Sequence, residues 1–528
     1  MKRRIWIKLA AWILAFVIII AVADIILKSV VEKKLRTSLQ QFQPYIQSGF
    51  SKAHVNLFKA SVQIDSLYIL YNPEMNERHQ HKIFFSHADI SGINFFKLLA
   101  GKNFSAASLK LSDANIKLDN YLLDKNNRLP ANIFKNIQLP FDNISFSAVE
   151  VLNAKISEQY KNKISPLCTA KIFLNDVAIP HIDSSFTKNS IHFSNVICDL
   201  NNVNYNLPGY YSVSLKAFHI SSKDSVMQLD SLKLIPQLGK FQLGENLGQQ
   251  ADHVTAFVNN IKVSGLDVKD MMQKKFVARE INISKSNAYV FRDRRLPRSK
   301  KEQPMPLDYL KQIPFEMQVQ RFSLNDANIT SEEFPKDGVH SGFIKLEHIS
   351  ITMMPFTNQV QGNTAFISSN VKASIMGAGN IHAVIDLSMK DGSSQIKGAI
   401  DNLNLPALNP SAENLGKFHI QSGVLNRLDF EFTATNTKAT GQIVGVYHDL
   451  IIDRLKITKD GLKTAWLSSF ALHHFIIPKN KDASLDIKKR TGKIDYVRDP
   501  TRLVTFYYLK ALLDGIRDSF SLGFLLPE

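Results

Sequence analysis

Few residues in this chain have the types and spacing that chemistry requires. His79 and His81 lie in a polar, loop-like stretch, and His473 and His474 are adjacent, so on a strand they would face opposite ways. Neither pair carries the ligand spacing of a zinc site; both read as surface histidines and no metal is expected. Cys168 and Cys198 are the only cysteines, each in an apolar strand-like run. That setting favours two small core residues over a disulfide. Gly377-Ala378-Gly379 lacks the third glycine and the flanking unit of a dinucleotide site and reads as a turn. No GxSxG elbow, Walker A loop, HExxH helix or CxxC pair occurs, and the acidic residues are scattered at turns. The expectation is a protein with no catalytic residue, no cofactor and no enzymatic activity.

The basic run RDRRLPRSKK (292–301) reads as an extended, solvated loop, with contact to anionic lipid or a partner as the alternative. Lys and Arg number 64 against 47 Asp and Glu in 528 residues, a net charge of +17. The excess is spread along the chain and no nucleic-acid module appears, so phospholipid headgroups are the expected anionic surroundings and nucleic acid is not. With 45% apolar and 21% charged residues the chain is ordered.

The N-terminus supplies the membrane argument. MKRRIWIK (1–8) is a basic leader, and Leu9–Leu27 is apolar except for Asp24. At about 1.5 Å per residue this run nearly crosses a hydrocarbon core. A positive leader before one such span predicts a cytoplasmic N-terminus, an uncleaved anchor and an exported body. Ala21-Val22-Ala23 offers the other reading, a cleaved signal peptide. A helical linker (28–50) follows.

Beyond residue 50 the pattern is period-2 alternation, as in SVQIDSLYIL (61–70), NISFSAVEVLNAKIS (143–157), VTAFVNNIKVSGL (254–266) and GFIKLEHISITM (342–353). Asp391-Gly392 between alternating runs predicts a hairpin. Helical pieces are short, NFFKLLAG (94–101) and LDVKDMMQKK (266–275), apart from a terminal helix expected from Asp499 to about Phe520. There Leu503, Phe506, Leu509, Leu513, Ile516 and Phe520 recur at helical spacing and predict packing over an open sheet end.

The strands repeat. IDSLYIL from Ile64 returns as LDSLKLI from Leu229; in both places a strand, a helical plug and another strand follow. LPFDNISFSAVEVLNAKISE (139–158) answers IPFEMQVQRFSLNDANITSEE (313–333), and KIFLNDVAI (171–179) answers IKLEHISIT (344–352). A smaller phrase occurs four times: LKLSDANI (109–116), VEVLNAKI (149–156), FSLNDANI (322–329) and, two residues longer, INISKSNAYV (281–290). Leu109 and Leu111 share one parity, Ala114 and Ile116 the other. A strict strand would turn the second pair outward; a bulge at Ser112-Asp113 keeps them inward and bends the chain. Repeated bends of this kind suit a long curved sheet.

Together these features resemble the AsmA family of bacterial envelope proteins. The likeness runs through VNLFKASVQIDSLYI (55–69), ISGINFFKLLAGKNFSAASLKLSDANIKL (90–118) and the stretch from IKGAIDNLNLPALNP to IIDRLKI (396–457), with its IQSG turn. The resemblance implies a mainly β fold: an N-terminal transmembrane helix, then a long twisted, curved β-sheet groove of repeated units with short helical plugs and a C-terminal helix. It also implies single-pass anchoring in the bacterial inner membrane, a periplasmic body, and phospholipid transport toward the outer membrane in support of envelope integrity, as in bridge-like lipid-transfer proteins. The related TamB proteins imply the alternative, a structural or chaperone-like outer-membrane assembly factor that recruits client strands from envelope partners.

The expected divisions are a first β-groove unit (51–224), a second, repeated unit (225–370), a C-terminal AsmA-like β region (371–498) and the terminal helix and tail (499–528). Phe146, Val149, Val151, Leu229, Leu232, Phe257, Ile281 and Ile283 are expected to line the groove or pack its sheet, and Phe95, Phe96, Leu98 and Leu99 to plug one end.

Overall fold

The alternating stretches form strands in the computed structural model, which describes residues 32–33, 36–37, 46–56, 58–72, 79–94, 103–119, 143–160, 163–180, 191–207, 209–359, 366–458, 461–465 and 491–519. The leader, the Leu9–Leu27 anchor, the plug residues Phe95, Phe96, Leu98 and Leu99, and His473-His474 lie outside the described residues. Among the described residues no helix is long and apolar enough to cross a membrane. The protein is mainly β and its sheet pairing is mixed. The chain divides into two units: unit 1 comprises Met1–Asn204 with Lys216–Asp224, and unit 2 comprises Tyr205–Leu215 with Ser225–Glu528.

In unit 1 the strands are β1 (Ile46–Gly49), β2 (Lys52–Asn56), β3 (Ser61–Tyr71), β4 (His81–Ser91), β5 (Asn103–Ser112), β6 (Asn115–Asp119), β7 (Asn143–Tyr160), β8 (Lys163–Ile179) and β9 (Asn195–Leu207). Residues 46–49, expected at the end of a helical linker, are strand: β1 pairs with β3, Gly49 opposite Tyr68. β3 pairs antiparallel with β4, and β4 with both β5 and β6. β5 and β6 then run parallel to β7, which is antiparallel to β8, itself antiparallel to β9.

Unit 2 repeats this order. After β10 (Tyr211–Ser221) come β11 (Val226–Pro236), β12 (Asp252–Ser264), β13 (Lys275–Asp293), β14 (Glu316–Phe334), β15 (Gly342–Met354) and the short β16 (Phe356–Thr357). β11, β12 and β13 pair antiparallel in turn, β13 and β14 pair parallel, and β14 and β15 antiparallel. The same sequence of pairings, with its one parallel step, thus occurs in both units. Three short helices sit in the connections: α1 (Gln242–Leu247), α2 (Val268–Met272) and α3 (Pro306–Lys311). The helix α2 is the expected second plug, capped by Asp267, whose carboxylate accepts from the backbone N–H of Lys269 and Asp270. The phrases 171–179 and 344–352 lie on corresponding strands, β8 and β15, but at different registers. Ile172 stands opposite Val151 whereas Ile351 stands opposite Leu324, because the β14–β15 connection is longer than β7–β8.

The bulge expected at Ser112-Asp113 is present. Asp113 has φ +51° and its parallel neighbour Asn153 has φ +54°. The two bulges are in step: Ser112 faces Leu152 before them and Asn115 faces Lys155 after them. Asp113 N–H donates to Leu152 O at 3.0 Å, Lys155 N–H to Ala114 O at 2.8 Å, and Asn153 Nδ2 to Asp113 Oδ1 at 3.2 Å. Asp and Asn tolerate the left-handed region better than other residues with a Cβ, where each such residue costs about 1 kcal/mol. Unit 2 repeats the device at Ser231, Lys285 and Asp326, with φ +55°, +49° and +56°. Inside each bend sits a small residue: Ala114, Ala154 and Ala327 are all buried. In the longer fourth copy Ser286 takes that place opposite Ala327, and its alanine, Ala288, moves on to face Ile329.

Seven more strands complete unit 2: β17 (Phe366–Ile375), β18 (Gly379–Ser388), β19 (Ser394–Asn404), β20 (Phe418–Ala434), β21 (Lys438–Thr458), β22 (Gly461–Thr464) and β23 (Thr491–Val497). The predicted hairpin at Asp391-Gly392 joins β18 to β19 through the longer loop 389–393, with Gly392 at φ +74°. The helix α4 (Asn409–Gly416) connects β19 to β20, and α5 (Val504–Ser519) ends the described chain. Phe430, Phe432, Ile443, Tyr447, Ile494, Tyr507 and Ala511 form the largest buried cluster. The terminal helix differs from its expectation. Asp499 caps a separate turn, accepting from Thr501 N–H and Oγ1, and α5 begins only at Val504. The buried stripe is Tyr507, Ala511, Gly515 and Ser519; of the expected stripe Ile516 packs against the core cluster, Leu503 and Leu509 are 37% and 48% exposed, and Phe520 lies outside the described residues. Small residues win the interface because helix and strand approach closely: a Cβ on Gly492 would stand 1.9 Å from Gly515 O.

Candidate functional site: aliphatic rows on one face of each sheet

Because the bulges fall in step, they keep apolar side chains of successive strands on one face. In unit 1, Val62, Ile90, Leu109, Val149, Leu174 and Val196 stand opposite one another in turn. The next row is Ile64, Ala88, Leu111, Val151, Ile172 and Cys198. Beyond the bulge the row continues as Ile69, Ile83, Ile116, Ile156 and Cys168. Leu111, Ala114, Ile116, Val151, Ala154 and Ile156 share one hydrophobic cluster, so both sides of the bulge do present the same face. The reverse face at the same level is polar over four strands, Gln63, Asp89, Lys110 and Glu150, and continues on β8 and β9 as Phe173 and Ile197.

Unit 2 carries the equivalent rows. Leu229, Ile261, Ile283, Leu324, Ile351 and Val371 follow one another across six strands. Beside them run Met227, Val263, Ile281, Phe322 and Met353. Past the bulge come Leu232, Val258, Ser286, Ala327 and Ile349. Opposite Leu229's row lies a polar one, Gln228, Lys262, Asn282, Ser323, Thr352 and Asn370.

Of the expected lining residues, Val149 and Val151 fall in the unit 1 rows and Leu229, Leu232, Ile281 and Ile283 in the unit 2 rows, all half-buried. Phe146 is buried, in edge-to-face contact with Phe104 at 5.8 Å between ring centres. Phe257 lies elsewhere: it stands between Lys233 and Asn287, on the polar face. Simple alternation from Ile261 would put it on the aliphatic face. The pairing skips Asn259, level with the left-handed residues Ser231 and Lys285, and Val258 takes that position instead.

The cysteines, His81 and Gly377 are held in structure. Cys168 and Cys198 are free and half-buried in aliphatic rows, and burial pushes both thiols above their usual range. His81 opens β4, where its Nδ1 accepts from Asp119 N–H at 3.0 Å and its ring stacks on Tyr71; burial pushes its pKa down. It is therefore not the surface histidine that its polar neighbours suggest. Gly377 turns β17 into β18 at φ +64°. Among the described residues no group of three His, Cys, Asp or Glu could hold a metal. A concavity of about 650 Å³ lies on the polar face of β18 to β21, lined by Asp386, Lys397, Glu431 and Gln442 among others. Its charges suit water better than an acyl chain.

The fold and this face together define a β protein that is amphipathic over many strands. No protein-family model matches the chain, and no curated protein matches it in sequence.

Proposed function

We propose that this chain is a non-catalytic, membrane-anchored lipid-binding protein of the bacterial envelope. In this reading Leu9–Leu27 anchors it in the inner membrane, its body occupies the periplasm, and the aliphatic rows line a curved β-groove that carries phospholipid toward the outer membrane. The single observation that carries the reading is the set of in-register rows through Leu229 and Ile64, aliphatic on one face and polar on the other. Each acyl methylene taken from water onto such a face contributes about 0.8 kcal/mol. A face without hydrogen-bonding side chains holds the chain at no fixed point, so it allows sliding. That suits transport rather than storage. The role accords with the AsmA-like resemblance of the sequence.

The test is mass spectrometry of lipid extracted from the purified full chain. Co-purified phospholipid is expected, and Val151→Asp with Ile283→Asp should strip it while the far-ultraviolet circular dichroism stays that of a β protein. A lipid-free protein that still restores envelope integrity to a strain lacking it would overturn the proposal in favour of a strand-recruiting assembly factor.

A further inference from the structure

The basic run 292–301 meets the segment before α5, far away in sequence. Arg498 donates from Nη2 to Gln303 O, and Gln303 N–H donates to Pro500 O at 2.7 Å. This contact gathers Arg292, Arg294, Arg298, Arg502 and Lys510 within unit 2. Three carboxylates answer these five cations. Asp252 takes Arg292 through two 2.7 Å bonds, and Glu333 takes Arg294 at 3.4 Å. Asp499 is left to serve both Arg298 at 3.6 Å and Arg502 at 4.0 Å, while already accepting from Thr501. Among the described residues Lys510 has no ion pair.

Arg502 is the sharpest feature. It is only 6% exposed, its Nε has no hydrogen-bond partner, and its guanidinium stacks 4.6 Å over the Phe506 ring that Lys510 approaches at 5.7 Å. A buried cation without a hydrogen-bonded counter-charge is costly. Burial together with Arg298, Arg292 and Arg294 pushes the Arg502 pKa down, and Lys510 is pushed down by burial, Arg294 and Arg502. An oxyanion would remove that strain.

We propose that Arg298, Arg502 and Lys510 form a phosphate-binding site, with Arg294 at its rim. A guanidinium presents paired N–H donors to a phosphate, and Lys510 adds a point charge. The site does not rest on the lipid-transport reading, since the same chemistry serves free phosphate or a phospholipid headgroup.

The full chain is titrated with inorganic phosphate by calorimetry at low salt, with potassium chloride of matched ionic strength as control. Saturable phosphate binding is expected, weakened about tenfold in Arg502→Met and in Lys510→Gln, as loss of one charged hydrogen bond requires. Lys510→Gln, at a half-buried position, keeps the test valid if Arg502→Met misfolds. Flotation with phosphatidylglycerol vesicles then separates the sources. Phosphate competing with vesicles for wild-type protein, and not for the variants, assigns the site to a headgroup; phosphate binding with vesicle binding unchanged in the variants assigns it to the free ion. Phosphate heats equal to the chloride control, or binding unaltered in both variants, would overturn the site and leave the question of lipid on the aliphatic rows untouched.

Discussion

Within unit 2, β11 to β14 and β20 to β23 belong to the same line of paired strands yet treat their apolar side chains differently. Leu229, Ile261, Ile283 and Leu324 are half-buried, although each has an aliphatic neighbour on the adjoining strand. Phe430, Ile443 and Ile494 are buried to 3% exposure or less, under Tyr507 and Ala511 of α5. Pairing alone therefore does not make a core; a second layer does. Where α5 supplies that layer the apolar face stabilises the fold. Where the described helices reach the strands only near their ends, as Phe241 beside α1 does on Phe291 and Phe334, the face is left for something else.

The contrast can be broken most strongly at Phe430. Phe430→Ala should cost about 4 kcal/mol, the range for emptying a packed aromatic site. Ile283→Ala should cost markedly less, about 1 kcal/mol, because its side chain is already partly in water. Urea denaturation of both variants measures the difference, and equal losses would erase the distinction. Next in size is Gly492→Ala. Its Cβ cannot fit beside Gly515 O, so α5 must shift, at a cost of about 2 kcal/mol. An apolar dye should then bind more strongly, since the covered face has become more like the open one.

A further effect is set by pH. Burial raises the Tyr507 hydroxyl to about 12 from an ordinary 10.0, and that hydroxyl donates to Thr435 O at 3.1 Å. The folded protein thus holds this proton after the unfolded chain has lost it. Stability linked to Tyr507 is intact below pH 10 and declines as pH rises from about 10 to about 12. Tyr507→Phe should lessen the fall of the denaturation midpoint across that window, the remaining slope coming from Tyr289, Tyr496 and Tyr508, whose hydroxyls burial also raises.

How much of this was legible in the sequence depended on whether the deciding contacts were local. The repeat and its bulges could be read because Asp113, Asn153 and Asp326 carry their conformational preference themselves, and because the parity change at Ala114 is visible in eight residues. The face of Phe257 was not legible, since the left-handed residues that set it, Ser231 and Lys285, lie on the neighbouring strands and not at Asn259. The stripe of α5 was misread for a related reason. Hydrophobicity points to Leu503 and Leu509, whereas close approach to Gly492 selects Gly515 and Ser519. The Arg502 cluster was hidden altogether. The run 292–301 is visibly basic, but only tertiary structure brings it to Asp499 and Arg502.

The central claim, that the aliphatic face of β11 to β14 receives acyl chains, is tested most directly by site-specific photo-crosslinking. A photoreactive residue is placed in turn at Ile283, at its polar-face neighbour Asn282 and at Phe430. The cells are labelled with radioactive phosphate and irradiated. The account predicts phospholipid adducts at Ile283 and none at Asn282 or Phe430. Equal labelling at Ile283 and Asn282, or none at Ile283, would contradict it.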